Sequence, residues 1–446
     1  MSCRMAGMTR SDFSPALASS PVADDHRAIA AGEHTTGPRG TVRFAVSTAD
    51  PDEGKGDLFV ALGLARALRD AGWGVAMWPI ERWAEDVPDD TTVLVSMLES
   101  FVPGRVGTGT ALVAWVRNWT ERWAELPWLT EFDAVWASSS AARDALAARH
   151  PGPVDVVPIG VDAELFTDGR GPDEGPRTDR AVTTVNFWGV RRRVQDVLAE
   201  VRPAEPIVWF AAGVDHVEDT EGVELRPAVP YTALPAVYRA AAFVVDDVIA
   251  PAAAYGTLNS RLYESLAAGA LPVTDCALGL DELGLGEVPV FTDAAGLERA
   301  LATSRADRDA LVARLRAVVL ERHTFAARAE QVSPLLEASV RAAARAAETR
   351  GDSRAPWLRW AAAERARLLA VEHERDLHLA GVHDINERLQ ASEAAAADFA
   401  AALERAASER DAIAERYETL TQSAEYRLLH RAGGVARGLR RISGRG

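Results

Sequence analysis

Between residues 41 and 275 the sequence runs twice through one pattern: a short β-rich apolar run, a loop, then a segment of helical length. Strands joined in this way run parallel, because two consecutive strands pointing the same direction need a crossover long enough to return. The first series opens with a strand at 41–47, the loop 50–56 and a helix over 57–70, with Asp57 at its N-cap and Gly72 at its stop. Further strands are read at 74–77, 92–95, 111–116, 134–137 and 154–158, with Ser138, Ser139 and Ser140 capping a helix through Ala148. Residues 167–180, rich in Asp, Gly, Pro, Glu and Arg, read as a linker. The series then restarts: strands at 181–187, 206–211, 243–247 and 271–275, and helices at 194–200, 234–241 and 260–268. Two parallel sheets of similar size leave a cleft outside the carboxyl ends of their strands, where ligands of such sheets bind.

A formal net charge of −16 over 446 residues argues against a nucleic-acid partner, which needs a basic face to displace counterions. Cys3 and Cys276 lie far apart and offer neither a disulfide framework nor zinc-ligand spacing. No run approaches the ~20 apolar residues that span a bilayer, and residues 1–40 lack the apolar centre of a secretory signal. A cytoplasmic location and a mobile leader over 1–40 are therefore the expectations.

The stretch 255–275 carries the most chemistry. It reads as a loop, a helix capped by Asn259 or Ser260, a stop at Gly269 and a buried strand ending in Asp275. A helix N-terminus presents free N–H groups and a positive dipole end, and Ser260 and Arg261 add donors in the first turn, which suits a diphosphate. Glu264 lies about one turn further on, on the same face, where a carboxylate accepts hydrogen bonds from vicinal ribose hydroxyls. An intrahelical pairing of Arg261 with Glu264 is the alternative. Thr257 belongs to the same loop.

The run from Asn259 to Val273 resembles the donor-site helix of GT-B glycosyltransferases, in particular the spore-maturation-protein-like group with an Asn-x-Arg-x-x-Glu-x-x-Ala-x-Gly signature. The resemblance implies an α/β fold of two Rossmann-like parallel-sheet domains, and a nucleotide-diphosphate sugar as donor with Asn259, Ser260, Arg261 and Glu264 in its grip. It further implies transfer with retention of configuration. The wider retaining group carries a second glutamate eight positions before the first; Gly256 stands there in this chain. Similar enzymes also place an Arg or Lys after the first strand of the second domain to neutralise the leaving diphosphate, which points to Arg191 and Arg192. The first domain would then hold the acceptor, with Asp57, Arg117 and Asn118 as its candidate catalytic residues beside the aromatic patch of Trp115, Trp119, Trp123 and Trp128.

Gly-x-Gly-x-x-Gly at the first helix, the P-loop pattern and clustered metal ligands are all missing from the sequence, so no tightly bound cofactor or metal is expected. Asp246-Asp247 at a strand end is the one acid pair of note. Helical segments follow over 326–355, returning across the domain junction. Over 356–425 apolar residues alternate by three and four from Val382 to Leu420, the seam of a coiled coil. Residues 427–446 hold six arginines and no acid, an amphipathic basic tail suited to an anionic leaflet.

The expected layout is thus a leader (1–40), an acceptor domain (41–166), a linker (167–180), a nucleotide-sugar domain (181–325), returning helices, a coiled coil (356–425) and a tail (426–446). The expected activity is glycosyl transfer to a glycan, glycoprotein or other acceptor in surface polysaccharide or glycoconjugate synthesis. A homo-oligomer held by the coiled coil would carry it out, in peripheral contact with the inner face of the membrane. A non-catalytic scaffold on a degenerate transferase body and a nucleotide-sugar epimerase are the rival readings.

Overall fold

The computed structural model describes residues 20–169, 177–185, 192–211, 222–350, 356–425 and 427–428. The elements run α1 (Pro21–Ala30), β1 (Thr41–Val46), α2 (Gly56–Asp70), β2 (Gly74–Pro79), β3 (Thr91–Ser96), β4 (Ala111–Val116), α3 (Thr120–Glu125), β5 (Ala134–Ala137), α4 (Ser140–Ala147) and β6 (Val154–Val156). They continue with β7 (Ala181–Thr183), α5 (Arg193–Glu200), β8 (Ile207–Ala211), β9 (Val223–Pro227), α6 (Leu234–Ala240), β10 (Phe243–Asp246), α7 (Ala250–Ala253), α8 (Ser260–Ala267) and β11 (Leu271–Thr274). Four helices complete the chain: α9 (Ala294–Leu301), α10 (Arg305–Arg322), α11 (Phe325–Arg350) and α12 (Pro356–Gln422).

Two sheets result. The first has the order β2-β1-β3-β4-β5-β6 and the second β11-β10-β7-β8-β9, and every pairing in both is parallel. The central strands are largely apolar because helices cover both faces: all six residues of β1 and of β4 are buried. In each sheet the strand order reverses once, between β1 and β3 and between β7 and β10. Loops diverge at such points and leave a crevice at the carboxyl ends.

The sequence-read strands and helices recur within a few residues of their expected bounds, and the exceptions are informative. Asp57 is not the N-cap of α2; Lys55 is, and the Asp57 carboxylate instead accepts from the Ser47 amide and hydroxyl, both at 2.7 Å, tying α2 to the end of β1. The leader is ordered in part, since residues 21–30 form α1, whose Val22, His26 and Ile29 are buried against α2. Its amphipathic spacing lies in a polar run and was hidden by composition; residues 1–19 lie outside the described part. The linker is pinned at both flanks of its undescribed centre: Asp168 pairs with Arg316 at 2.7 Å, and Arg177 donates to the carbonyls of Ala268, Gly269 and Arg239.

After α10 the chain returns to the first sheet, as the helical pattern suggested. The segment 323–325 pairs with Val161, and α11 packs on α2 and β4. Gly63, inside α2, is the contact point: a Cβ there would overlap the Phe325 ring. At the start of α12, Leu358 and Ala362 pack on Val102. From residue 369 onward the chain forms its own unit. Within it Ile385, Leu389, Phe399, Leu403, Ile413, Tyr417 and Leu420 are each more than half exposed, at the three-and-four spacing of the predicted seam. The Val382 side chain and the tail beyond 428 lie outside the described residues.

Candidate active site

The second sheet supplies one wall. β10 ends in Asp246, Asp247 follows it, both are buried, and α8 begins beside them. Asn259 is the N-cap of α8 by backbone geometry, but its side chain turns to the Asp247 carbonyl and, at 3.4 Å, to Asp246 Oδ1. The first amides of α8 are therefore left without a side-chain cap, the arrangement that serves an incoming anion. Arg261 Nη1 lies 2.5 Å from Asp246 Oδ1 and 3.6 Å from Asp247 Oδ1, and its Nε donates to Thr184 Oγ1 at 3.2 Å. Arg192 Nε lies 2.7 Å from Asp247 Oδ2. Two arginines and two aspartates thus form a charge-balanced quartet that fixes each guanidinium in place.

Glu264 is 4% exposed, one turn into α8. Burial pushes its carboxyl up to about 7, against the Tyr231 hydrogen bond, the Arg261 charge and the Ser260 hydroxyl, all of which favour the ionised form. Tyr231 donates its hydroxyl to Glu264 Oε1 at 3.0 Å. Its ring stacks on Phe59 of α2, with centroids 3.9 Å apart and planes 12° apart, and meets the edge of Phe166 at 5.5 Å. A residue of the first domain therefore presses on the tyrosine that hydrogen-bonds the buried Glu264 of the second.

The first sheet supplies the facing wall from the loops after β1 and β4. Arg117 and Asn118 follow β4 directly, and Trp119 then takes a left-handed backbone, φ 57°, the one non-glycine residue to do so among those described. The Arg122 guanidinium covers the Trp119 ring at 3.7 Å, which helps to hold that strained turn. Trp115 and Trp123 are wholly buried and belong to the core, so of the aromatic patch it is Trp119 that faces the cleft.

Two connected hollows lie between these walls. The larger, about 850 Å3, is lined among others by Arg192, Arg261, Glu264, Tyr231, Phe59 and Trp119. The smaller, about 290 Å3, is lined by Asp57, Arg117, Leu98, Ile159 and Leu258, and it shares Gly56, Asn118, Asn259 and Ser260 with the first. Nine of the ten residues singled out from sequence are described. Eight of them line these hollows; Thr257 is buried close by and lines neither, and Arg191 lies outside the described residues.

Gly256 now has a steric reason. Its φ is +67°, and a Cβ there would stand 2.9 Å from Leu278 Cγ and 3.1 Å from the Gly279 amide, so a glutamate would be strained and crowded there. Sequence reading missed Tyr231, Phe59 and Thr184, which come from three separate loops and helices. Their only local signal is polarity or aromaticity at a strand or helix end, and their convergence is a property of the fold. Among the described residues no group of three metal-ligating side chains stands together, and the Asp246 and Asp247 carboxylates are engaged by arginines.

Residues 183–333, about a third of the chain, match the family described as glycosyl transferase-like. No curated protein matches the sequence. Among solved structures the chain is similar to a sucrose-phosphate synthase from Thermosynechococcus elongatus (14% identity, TM-score 0.49, covering 67% of this chain and 98% of that one). It is also similar to AviGT4, a glycosyltransferase involved in avilamycin A biosynthesis (15%, 0.46, 67% and 98%), and to a glycosyltransferase from Rickettsia africae ESF-5 (9%, 0.46, 67% and 98%).

Proposed function

We propose that this chain, a GT-B fold protein with a glycosyl transferase-like domain across residues 183–333, moves a sugar from a nucleotide-diphosphate donor to a hydroxyl of an acceptor bound against the first sheet. One observation carries the donor assignment: the buried Glu264 carboxylate stands one turn behind the uncapped amides of α8, inside the larger hollow. A diphosphate on those amides and the Ser260 hydroxyl leaves the attached ribose within reach of Glu264. Arg261 and Arg192, fixed by Asp246 and Asp247, face the same hollow, so positive charge is already oriented where the leaving diphosphate gathers charge as the glycosidic bond breaks. The amides and guanidiniums supply the anion's partners from the chain itself, without a tightly bound metal.

The acceptor enters from the side of Asp57, Arg117 and Asn118, and the two hollows meet at Asn118 and Ser260, where its hydroxyl reaches the sugar. Attack on the face that the diphosphate leaves retains configuration. The exposed seam of α12 suits pairing with a second copy of the chain, in an enzyme of surface glycan or glycoconjugate synthesis working at the inner membrane face.

Calorimetry with UDP, GDP and dTDP tests the donor reading. One nucleotide is expected to bind, and Glu264→Ala and Arg192→Ala are each expected to weaken it at least tenfold, as loss of a charged hydrogen bond does. Absence of binding by all three, or no effect of either substitution, overturns it and favours a scaffold; consumption of the donor sugar to its epimer without acceptor favours an epimerase.

A further inference from the structure

The smaller hollow contains a cation that the fold leaves incompletely satisfied. Arg117 Nε is buried with no hydrogen-bond partner, and Nη2 has only a long, 3.5 Å contact with the Met97 carbonyl. No ion pair joins Arg117 to any of the described residues. The carboxylates whose charge it feels, Asp57 and Glu99, are committed elsewhere: Asp57 to both donors of Ser47, and Glu99 to Arg122 at 3.5 Å. Burial pushes the Arg117 guanidinium below its ordinary value despite those two charges. A guanidinium has five N–H donors in a planar fork that matches an oxyanion, and burying it without a partner is costly. Such a residue persists where a ligand completes it.

We propose that Arg117 is the recognition residue for an oxyanion, a carboxylate or a phosphate monoester, carried by the acceptor. Calling the bound molecule an acceptor rests on the glycosyl transfer reading above; the anion site itself does not. Arg117 sits at the carboxyl end of β4 and lines only the smaller hollow, whereas Arg192, Arg261 and Glu264 line the larger one. The cation therefore belongs to a second ligand. At about 290 Å3 the hollow lies at the small end of ligand pockets, enough for one acidic sugar unit or a compact hydroxy acid. Leu98, Ile159 and Leu258 give its wall an apolar part beside the polar Asp57, Asn118, Asn259 and Ser260, and the apolar part lowers the local dielectric around a charged contact. Anchoring the anion at Arg117 leaves a neighbouring hydroxyl free to extend toward Asn118 and Ser260, where the donor sugar would lie.

The test titrates the full chain calorimetrically with glucose, glucose 6-phosphate and glucuronate, and separately with UDP, GDP and dTDP. The phosphate or the carboxylate probe is expected to bind at least tenfold tighter than glucose, and which of them does so identifies the anion. Arg117→Gln is expected to bring that preference within twofold while leaving nucleotide affinity within twofold. Equal binding of the neutral and anionic probes, a preference that survives Arg117→Gln, or a tenfold loss of nucleotide in that variant would each overturn the proposal. Anion preference without any nucleotide binding leaves the site standing and removes the transfer reading instead. Arg117→Met separates ligand recognition from structure: a melting temperature equal to or above that of the parent is expected, and a fall of more than about 5 °C assigns Arg117 to the fold and overturns the proposal.

Discussion

Glu264 carries two opposed demands, and its titration exposes both. Its carboxyl is raised from 4.5 to about 7 by burial, a difference of about 3 kcal/mol. The folded state therefore keeps a proton that the unfolded chain has released, and stability falls as pH rises between about 4.5 and 7. Glu264→Gln, whose amide oxygen still accepts from Tyr231, escapes that loss. Its melting temperature relative to the parent is expected to be higher at pH 8 than at pH 5, and a difference independent of pH would show that the carboxyl is not raised. Under the donor reading proposed above, function runs the other way, because there only the ionised carboxylate accepts both ribose hydroxyls. Nucleotide affinity of the parent is expected to strengthen as pH rises through 7, and that of Glu264→Gln to stay flat and weaker. The helix carrying Glu264 was legible because its capping residues, polar face and stop lie within a dozen residues. Tyr231 was not, since nothing in Pro230-Tyr231-Thr232 announces a carboxylate that lies 33 positions away.

At the scale of elements, the alternation of apolar runs and helices revealed both sheets, because parallel strands buried on both faces must read as unbroken apolar runs. Strand order remained hidden, since it is decided by which helices cross which face. β9 was also missed: Val-Glu-Leu-Arg-Pro is short, charged and only partly buried at a sheet edge. Gly63 shows how tertiary packing overrides local preference. Glycine inside a helix ordinarily costs up to about 1 kcal/mol relative to alanine, so Gly63→Ala would stabilise an isolated α2. Here the Phe325 ring occupies the space a methyl needs. The variant is expected to lose about 1–3 kcal/mol in chemical denaturation, as overpacked cores do; a gain in stability would show that the contact yields easily.

Across the body of residues 20–368 one buried apolar cluster runs through both sheets, and a small set of polar contacts joins α4 and α3 to the loops of the second domain. Ser139 donates to the Tyr255 carbonyl at 2.5 Å, the Ser140 amide and hydroxyl donate to Glu282 at 3.0 and 2.8 Å, and Tyr255 donates to Glu121 at 3.3 Å. Ser139 was read correctly as a cap of α4, yet its bond to the other domain was not foreseeable from the cap motif. These polar contacts act as a latch beside that shared apolar core. Glu282→Ala is expected to raise the radius of gyration of a 1–368 fragment in X-ray scattering, and the nucleotide that binds to bring it back; an unchanged profile would place closure in the apolar contacts alone. The same truncation is expected to lower the oligomer mass by light scattering, and an unaltered mass would sink the pairing of α12 with a second copy.

The stack of Phe59 on Tyr231 has a consequence for the order of events in turnover. Tyr231 donates to an oxygen of Glu264 that a ribose would also use, and Phe59, whose helix begins beside the smaller hollow, leans on that ring. A donor whose ribose displaces this bond would shift Tyr231, and with it the helix that shapes the acceptor's seat. Addition is therefore expected to be compulsory, donor before acceptor, with the nucleoside diphosphate leaving last. Product inhibition by that nucleotide should then be competitive against donor and mixed against acceptor, and Phe59→Leu should relax the sequence toward random addition.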